Sequence, residues 1–396
     1  MSHSLFIVNA GSSSIKFKLY AVRSGALDLQ IAGALDGIAT RPRLRARDHA
    51  GTVLVDQAFA PSELTTSAQA QTVVADFVRS QVDAAQIIGV GHRVVHGGTA
   101  YSQPVLVDDA VLRTLETFIS LAPLHQLSNL DPIRVIRDRR PDLPQVACFD
   151  TAFHRGHPEI SDRFAIPRHF YDEGVRRYGF HGLSYEYVSG ALRHLAPEVA
   201  AGRVVIAHLG SGASACALKD GRSQESTMGF TALDGLPMGT RSGALDAGVV
   251  LHLIEQKGMT AAEVGHMLYH ESGLLGLSGV SKDVRELLAS PDEAARMALD
   301  YFSLKVAQAI AALAVTLDGL DGLVFTAGIG EHAPEVRARI VSRLRSMGLG
   351  LDPAANAAGD VRISAAESRV PIFVIPTDEE RMIAQHTLRL LQPPAD

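Results

Sequence analysis

The chain has 396 residues, 46% of them hydrophobic and 20% charged, with a formal net charge of −6. That much apolar material supplies two cores and excludes global disorder, and the acidic balance argues against a nucleic-acid protein working through a basic face. The only two cysteines, Cys148 and Cys216, exclude a disulfide scaffold and suit a reducing compartment.

The N-terminus has no secretory pattern, since its first basic side chain is Lys16 and the apolar run Leu5 to Val8 is too short for a signal core. Residues 5 to 59 read as strands. LFIVNAG and SIKFKLY flank a Gly-Ser turn; LDLQIAGALDGI, PRLRAR and TVLVDQAFA follow, with a turn at Asp48 to Gly51. A helix is expected over Ser67 to Gln81, then an apolar strand at Ile87 to Val90. Helices near Asp108 to Ser120 and Asn129 to Arg139 lead to the strand VACFD.

The second half repeats that grammar. VVIAHLG and SACALKD flank another Gly-Ser turn, Asp220-Gly221 closes a hairpin, and SQESTMGF continues. Ser290, Pro291 and Glu293 have the spacing of a capping box with a proline start, for a helix running to about Leu317. Its apolar stretch, Val306 to Leu317, is interrupted by Gln308 and Thr316 and falls short of the ~18–20 residues that cross a bilayer. The expectation is a cytoplasmic protein with no membrane and no nucleic acid as partner. The strand LVFTAG, a helix from Pro334 to near Gly348, the strand VPIFVIP and a helix from about Glu379 complete the chain.

NAGSSSIKFKLY aligns with HLGSGASACALKD, matching Gly11 to Gly210 and Ser12 to Ser211. An offset of about 200 residues is a domain-scale duplication. The expected class is α/β with two domains of related fold, over residues 1–149 and 150–380, the final helix 381–396 packing back on the first.

In the first Gly-Ser turn small residues let the backbone approach phosphate oxygens. Of six lysines in the chain, Lys16 and Lys18 share this hairpin, and an extended strand points both to one face. The segment reads equally as a tight turn with solvated lysines. No G-x-x-x-x-G-K-[ST] segment exists, which argues against a P-loop NTPase. Gly328-Ile329-Gly330 lies between a strand and a helix, where it either meets a nucleotide or makes a turn. His92 and His96, four apart in GHRVVHGG, would suit zinc on a helix, but the Val-rich segment reads as a strand or loop. Arg93 between them suits a carboxylate or phosphate fork, or a surface salt bridge. Asp150 ends the strand VACFD, where α/β domains bind ligands, or caps a helix. His181 in RRYGFHG reads as a structural histidine when taken singly, and Arg241 is glycine-flanked in MGTRSG. Asp378-Glu379-Glu380 opens a helix as dipole partners or as magnesium ligands.

Taken together, VNAGSSSIKF, GHRVVHGG, APLH, FDTAFH, RRYGFHG, HLGSGAS, MGTRSG, SGLLGLSG, FTAGIGE and TDEE resemble the acetate kinase family over nearly the whole chain. The resemblance implies the superfamily of acetate and sugar kinases, heat-shock chaperones and actin: duplicated ribonuclease-H-like domains with an interdomain ATP cleft. The implied reaction is reversible transfer of the ATP γ-phosphoryl to acetate, giving acetyl phosphate and ADP, by a homodimer.

By the same resemblance Asn9 and Glu379 match magnesium-site residues, with manganese as a substitute ion, and Lys16 an ATP contact. Arg93 matches the substrate-binding arginine; Asp150, His181 and Arg241 match catalytic residues. His208, Leu209, Gly210, Ser211 and Gly212 resemble a nucleotide-binding stretch. So do Asp283, Val284 and Arg285, and Gly328, Ile329, Gly330, Glu331 and His332. Val95, Leu124 and Phe180 match the acyl pocket. The chain departs from the family at Ser211 and His332, where Asn is common, and at Ala232, where Pro is common. Ala244 stands in place of Asp and Tyr185 in place of His. The rival expectations are a propionate or butyrate kinase of the same fold and an actin-like ATPase module; the spaced Arg93, His181 and Arg241 favour a kinase.

Overall fold

The structure, a computed structural model, describes residues 3–11, 13–83, 86–122 and 125–392. A buried first strand, an alternating second strand and tight turns build the first sheet. β1 (His3–Ala10), β2 (Ser14–Arg23), β3 (Ala26–Asp36), β4 (Arg43–Asp48) and β5 (Val53–Ala58) pair antiparallel in succession. β6 (Ile87–Val94) lies parallel to β1, and after β7 (Val105–Leu106) the strand β8 (Gln145–Phe149) lies parallel to β6. The order is β5-β4-β3-β2-β1-β6-β8-β7.

The second sheet uses β9 (Arg203–Leu209), β10 (Ala213–Lys219), β11 (Arg222–Ser226), β12 (Gly322–Thr326) and β13 (Ile372–Val374), in the order β11-β10-β9-β12-β13. Its first three strands are antiparallel, and β12 and β13 join parallel. This matches β3-β2-β1-β6-β8 strand for strand and direction for direction, so the chain carries two ribonuclease-H-like sheets. The molecule divides into one unit of Met1–Phe153 with Asp378–Asp396 and a second of His154–Thr377.

In the first unit, strand parity decides which helix each residue meets. Phe6, Val8 and Val90 join Val74 and Val78 of the helix Ser67–Gln81 and Ile136 of the helix Gln126–Arg139 in one core. One residue out of phase, Ile7 and Gly91 face the helix Glu379–Leu391. A Cβ on Gly91 would overlap Thr387 Oγ1, and one on Gly89 would overlap Leu391, so this helix lies on β6 only because both positions lack a side chain.

Three helix ends differ from the sequence expectation. The helix expected from Asn129 starts at Gln126. The one expected to start with a box at Ser290 spans Glu293–Thr316 and is capped by Asp292, whose Oδ1 accepts from the Ala294 N–H at 2.8 Å. Ser290 is already the C-cap of the preceding helix, Val284–Ala289. The helix from Pro334 stops at Ser342, and a 3₁₀ turn, Arg345–Met347, carries the chain to Gly348, left-handed at φ 86°.

The helix Glu293–Thr316 outruns the apolar stretch seen in the sequence and is long and apolar enough to cross a membrane. Half of its apolar window is buried in the second unit, where it packs along β9, β10 and β11. Ala298, Phe302, Val306 and Ile310 are buried at four-residue spacing, while Arg296 and Asp300 face outward. That is the pattern of a core helix.

Candidate active site

In the first unit, candidate residues gather at the carboxyl ends of three adjacent strands, the usual ligand-binding edge of an α/β sheet. Asn9 lies near the end of β1, Arg93 near the end of β6, and Asp150 directly after β8. Arg93 donates through Nε to Asp150 Oδ1 at 3.0 Å and through Nη2 to Oδ2 at 2.5 Å. Its Nη1 donates to Asn9 Oδ1 at 3.3 Å. The Asn9 amide donates to Glu380 at 2.8 Å and to Glu379 at 3.3 Å. Burial works against the charge on Arg93, but the carboxylates of Asp150 and then Glu379 outweigh it and raise its pKa.

Asp378 caps the helix that begins at Glu379, accepting from the Arg381 N–H at 2.9 Å. It also pairs with Lys18 at 2.6 Å, and Lys18 lies 3.6 Å from Glu380. Lys16 lies on the same face of β2 as Lys18, opposite Asn9 in the register, with its side chain exposed. Val95 is buried, and its N–H donates to Asn129 Oδ1 at 2.8 Å.

Among the described residues no group of three or more His, Cys, Asp or Glu could hold a metal ion. Asn9, Glu379 and Glu380 nonetheless fit magnesium, which takes one or two carboxylates plus substrate phosphates rather than an all-protein cage. His92 and His96 do not share a ligand: His92 Nε2 lies 2.7 Å from Gln145 Oε1, and His96 Nδ1 accepts from the Gly98 N–H at 2.9 Å. Ser12 and Leu124 lie outside the described residues.

In the second unit the site grows around the loop between β9 and β10. The Gly210 N–H donates to Gly212 O at 3.0 Å, closing the turn. Leu209 is buried, so only its backbone faces the loop, and Ser211 is exposed. A Cβ placed on Gly212 would lie 3.3 Å from both Arg241 Nη2 and His181 Nε2, so these two cationic or donor groups converge over one glycine. Arg241 is braced by its Nη1, which donates to the Ala232 carbonyl at 2.6 Å.

His181 is the left-handed N-cap of the helix Gly182–Leu195, at φ 57°. Such backbone costs on the order of 1–3 kcal/mol in a residue with a Cβ and persists where the surroundings dictate it. Its Nδ1 lies 2.8 Å from Ser214 Oγ, and its ring stacks on His208 at 4.1 Å and 16°. His208 Nδ1 lies 2.8 Å from Ser184 Oγ. Phe180 is buried, and its carbonyl lies 2.9 Å from His154 Nε2.

The three nucleotide-type stretches adjoin. A Cβ on Gly210 would meet Ala327, where the third stretch begins, and Gly239 sits between Lys282 and the Ser211 carbonyl. Asp283 caps the helix that starts at Val284 and holds Arg285 at 2.5 Å; that hydrogen bond, first among its causes, keeps its carboxyl below the ordinary range. Val284 is buried, and Arg285 is almost wholly exposed. Gly328 to His332 form the helix Ala327–His332 itself rather than a turn before one, entered through Ala327 at φ 63°. Open space surrounds Gly328, Gly330 is buried, and His332 is exposed. Glu331 Oε1 accepts from the Thr377 N–H at 3.1 Å.

Val95 belongs to the first unit and Phe180 to the second. Sequence reasoning missed Asn129 and Ser184, isolated polar residues on helices with no spacing signal, and gave no role to Ser214 and Thr377, which lie within HLGSGAS and TDEE. Glu380 stood in view within the acidic run.

The acetokinase family profile matches residues 4–385. An acetate kinase of Nitrobacter hamburgensis is 56% identical over 389 residues, covering 98% of this chain and 96% of that protein. A propionate kinase structure from Francisella tularensis superposes with TM-score 0.91 at 35% identity, covering 98% of this chain and 99% of that one. The acetate kinase structure of Porphyromonas gingivalis gives 0.87 at 34%, covering 98% and 100%.

Proposed function

The chain belongs to the acetokinase family, and from that premise we propose that it transfers the γ-phosphoryl group of ATP reversibly to acetate, giving acetyl phosphate and ADP. The convergence of Arg241 Nη2 and His181 Nε2 over Gly212 is the observation that carries this reading. Phosphoryl transfer needs little covalent help from a protein; it needs positioning and neutralisation of charge on the equatorial oxygens. A guanidinium and an imidazole aimed at one small space beside a Gly-Ser loop supply both.

Acetate is ionised at neutral pH, so its attacking oxygen needs no general base. Arg93 holds the carboxylate. Asp150, already gripping Arg93 with both oxygens, orients that arginine. Lys16, the loop His208–Gly212, the segment Asp283–Arg285 and the helix Ala327–His332 hold the nucleotide. The family resemblance assigns Val95, Leu124 and Phe180 to recognition of the acyl group. Asn9 and Glu379 would hold magnesium, or manganese in its place, which would supply neutralising charge to the nucleotide phosphates.

The enzyme works in the cytoplasm as a homodimer. The nine-residue helix Ala247–Glu255 supports the dimer: it buries none of its residues and exposes Val249, Leu251 and Ile254. Propionate is a second acceptor, a reading favoured by the likeness to the Francisella tularensis enzyme and by Ala232 in place of a bulkier proline.

Hydroxamate trapping of the acyl phosphate, with ATP, magnesium and acetate, propionate or butyrate in turn, tests the reaction. Acetate is expected to give the highest kcat/KM. ATP hydrolysis without any acyl hydroxamate would point instead to an actin-like ATPase module. Sedimentation of wild type and Leu251→Glu tests the dimer.

A further inference from the structure

Two hydroxyl chains end on the two stacked imidazoles of the second unit. Tyr185 OH lies 2.5 Å from Ser214 Oγ, which lies 2.8 Å from His181 Nδ1. Thr377 Oγ1 donates at 2.8 Å to Ser184 Oγ, which lies 2.8 Å from His208 Nδ1. Tyr185, Ser214 and Ser184 are fully buried.

The direction of the first chain follows from what each group can do. Among the described residues the Tyr185 hydroxyl has one hydrogen-bond partner, Ser214 Oγ. A buried phenol that failed to donate would leave its proton unsatisfied, at a cost of about 1–3 kcal/mol. Tyr185 therefore donates to Ser214. The single Ser214 proton then finds its acceptor in His181 Nδ1; an Nδ1–H donating to Ser214 instead would leave that buried hydroxyl proton unsatisfied. A neutral imidazole that accepts at Nδ1 carries its proton on Nε2. Nε2 is the atom that meets Arg241 Nη2 over Gly212. Burial raises the Tyr185 pKa well above its ordinary value, so the phenol remains a donor at every working pH.

We propose that Tyr185 is a positioning residue for His181, acting through Ser214 to hold the imidazole as the Nε2–H tautomer aimed at the transferring phosphoryl group. The role of His181 rests on the kinase reading above; the tautomer does not. The Thr377–Ser184 chain holds His208 in the same tautomer, and two neutral rings stack without charge repulsion. At Tyr185, where histidine is common in the family, this chain places a phenol donor toward Ser214.

The test combines histidine tautomers, read from long-range ¹H–¹⁵N correlations of ¹⁵N-labelled enzyme, with steady-state kinetics. In wild type His181 shows the Nε2–H pattern. In Tyr185→Phe Ser214 loses its donor, so its own proton is no longer directed, and the His181 pattern becomes a mixture. The expected kinetic result is kcat lower by roughly 10- to 100-fold with KM for ATP and acetate changed by less than about twofold, as for loss of a transition-state interaction. Ser214→Ala removes the donor to Nδ1 directly; it is expected to shift the tautomer in the same way, and it decides the matter if Tyr185→Phe does not fold. An Nδ1–H pattern in wild type, or a His181 tautomer unchanged in both variants, overturns the proposal. So does a folded Tyr185→Phe with wild-type kcat. If wild type makes no acyl phosphate while the tautomer still depends on Tyr185, the kinase reading fails and the relay stands.

Discussion

Arg93 and Asp150 form a forked ion pair across the neighbouring strands β6 and β8, and the Asp150 side chain is only 2% exposed. Both carboxylate oxygens accept from the guanidinium, the geometry behind the proposal that Asp150 orients Arg93.

Replacing either partner therefore has different consequences. Asp150→Asn keeps the shape but loses the charge that orients Arg93, and kcat/KM for acetate is expected to fall about 100-fold. The pH–rate profile should keep its shape; a limb present in wild type and absent in the mutant would mean that Asp150 is a base. Arg93→Ala loses activity and also removes the forked donor from a buried carboxylate. Breaking a buried pair costs about 3–5 kcal/mol. The 20% exposure of the Arg93 side chain puts this pair at or below the low end of that range. Denaturant midpoints should show Arg93→Ala clearly less stable than Asp150→Asn.

Gly212→Ala tests the convergence in the second unit. The backbone at Gly212 is not left-handed, so the methyl group adds little strain, but it lies 3.3 Å from Arg241 Nη2 and His181 Nε2. It fills the space assigned to the phosphoryl group. The expected outcome is an unchanged melting temperature with kcat down roughly 100-fold, the scale of a displacement of about 1 Å in a reacting geometry. Near-normal turnover would place the phosphoryl group elsewhere.

Acid should destabilise the protein through two buried histidines. Burial first of all lowers the His92 pKa from 6.5 to about 4, against a raising bond to Gln145, and lowers that of His154 as well. The unfolded chain gains a proton at each as pH falls through 6.5, while the folded chain does not. Stability is thus full above pH 6.5 and declines toward pH 4. His92 accounts for up to about 3 kcal/mol of that decline. His92→Gln is expected to be less stable at pH 7 but to lose less between pH 6.5 and 4, measured by urea denaturation. An equal loss in both proteins would remove His92 as the cause.

Acceptor size is tested at Ala232, whose carbonyl braces Arg241 at 2.6 Å. Ala232→Pro adds bulk beside that brace. It is expected to raise the acetate-to-propionate ratio of kcat/KM by up to about tenfold, the scale of one methylene in an apolar pocket. Proline also restricts Thr231. A fall in kcat with both acceptors and no change in ratio would show that the substitution acts only through Arg241.

Much of the fold was legible in the sequence, because local rules dictate it. The two Gly-Ser hairpins, the apolar runs that enter them at β1 and β9, and the aligned segments NAGSSSIKFKLY and HLGSGASACALKD announce a duplicated α/β chain before any contact is known. The apolar stretch to about Leu317 also places the end of the long helix, which stops at Thr316. The sequence signal fails at that helix's start, where Ser290 had the right spacing but was already ending another helix, and the cap passed to Asp292.

The motifs also name most of the residues for which a site role is proposed. They do not say what each side chain touches. Nothing in the spacing of Arg93 and Asp150, 57 positions apart, foretells a fork between them; parallel pairing of β6 and β8 creates it. Tyr185 is an unexplained substitution as a letter, and a hydrogen-bond partner of Ser214 once the helix Gly182–Leu195 packs on β9 and brings the phenol to β10. The sequence by itself determines period, turn chemistry and residue type, which depend on neighbours along the chain. Tertiary structure alone decides which donor faces which acceptor, because a hydrogen bond is set by distances of a few tenths of an ångström between segments that only packing brings together.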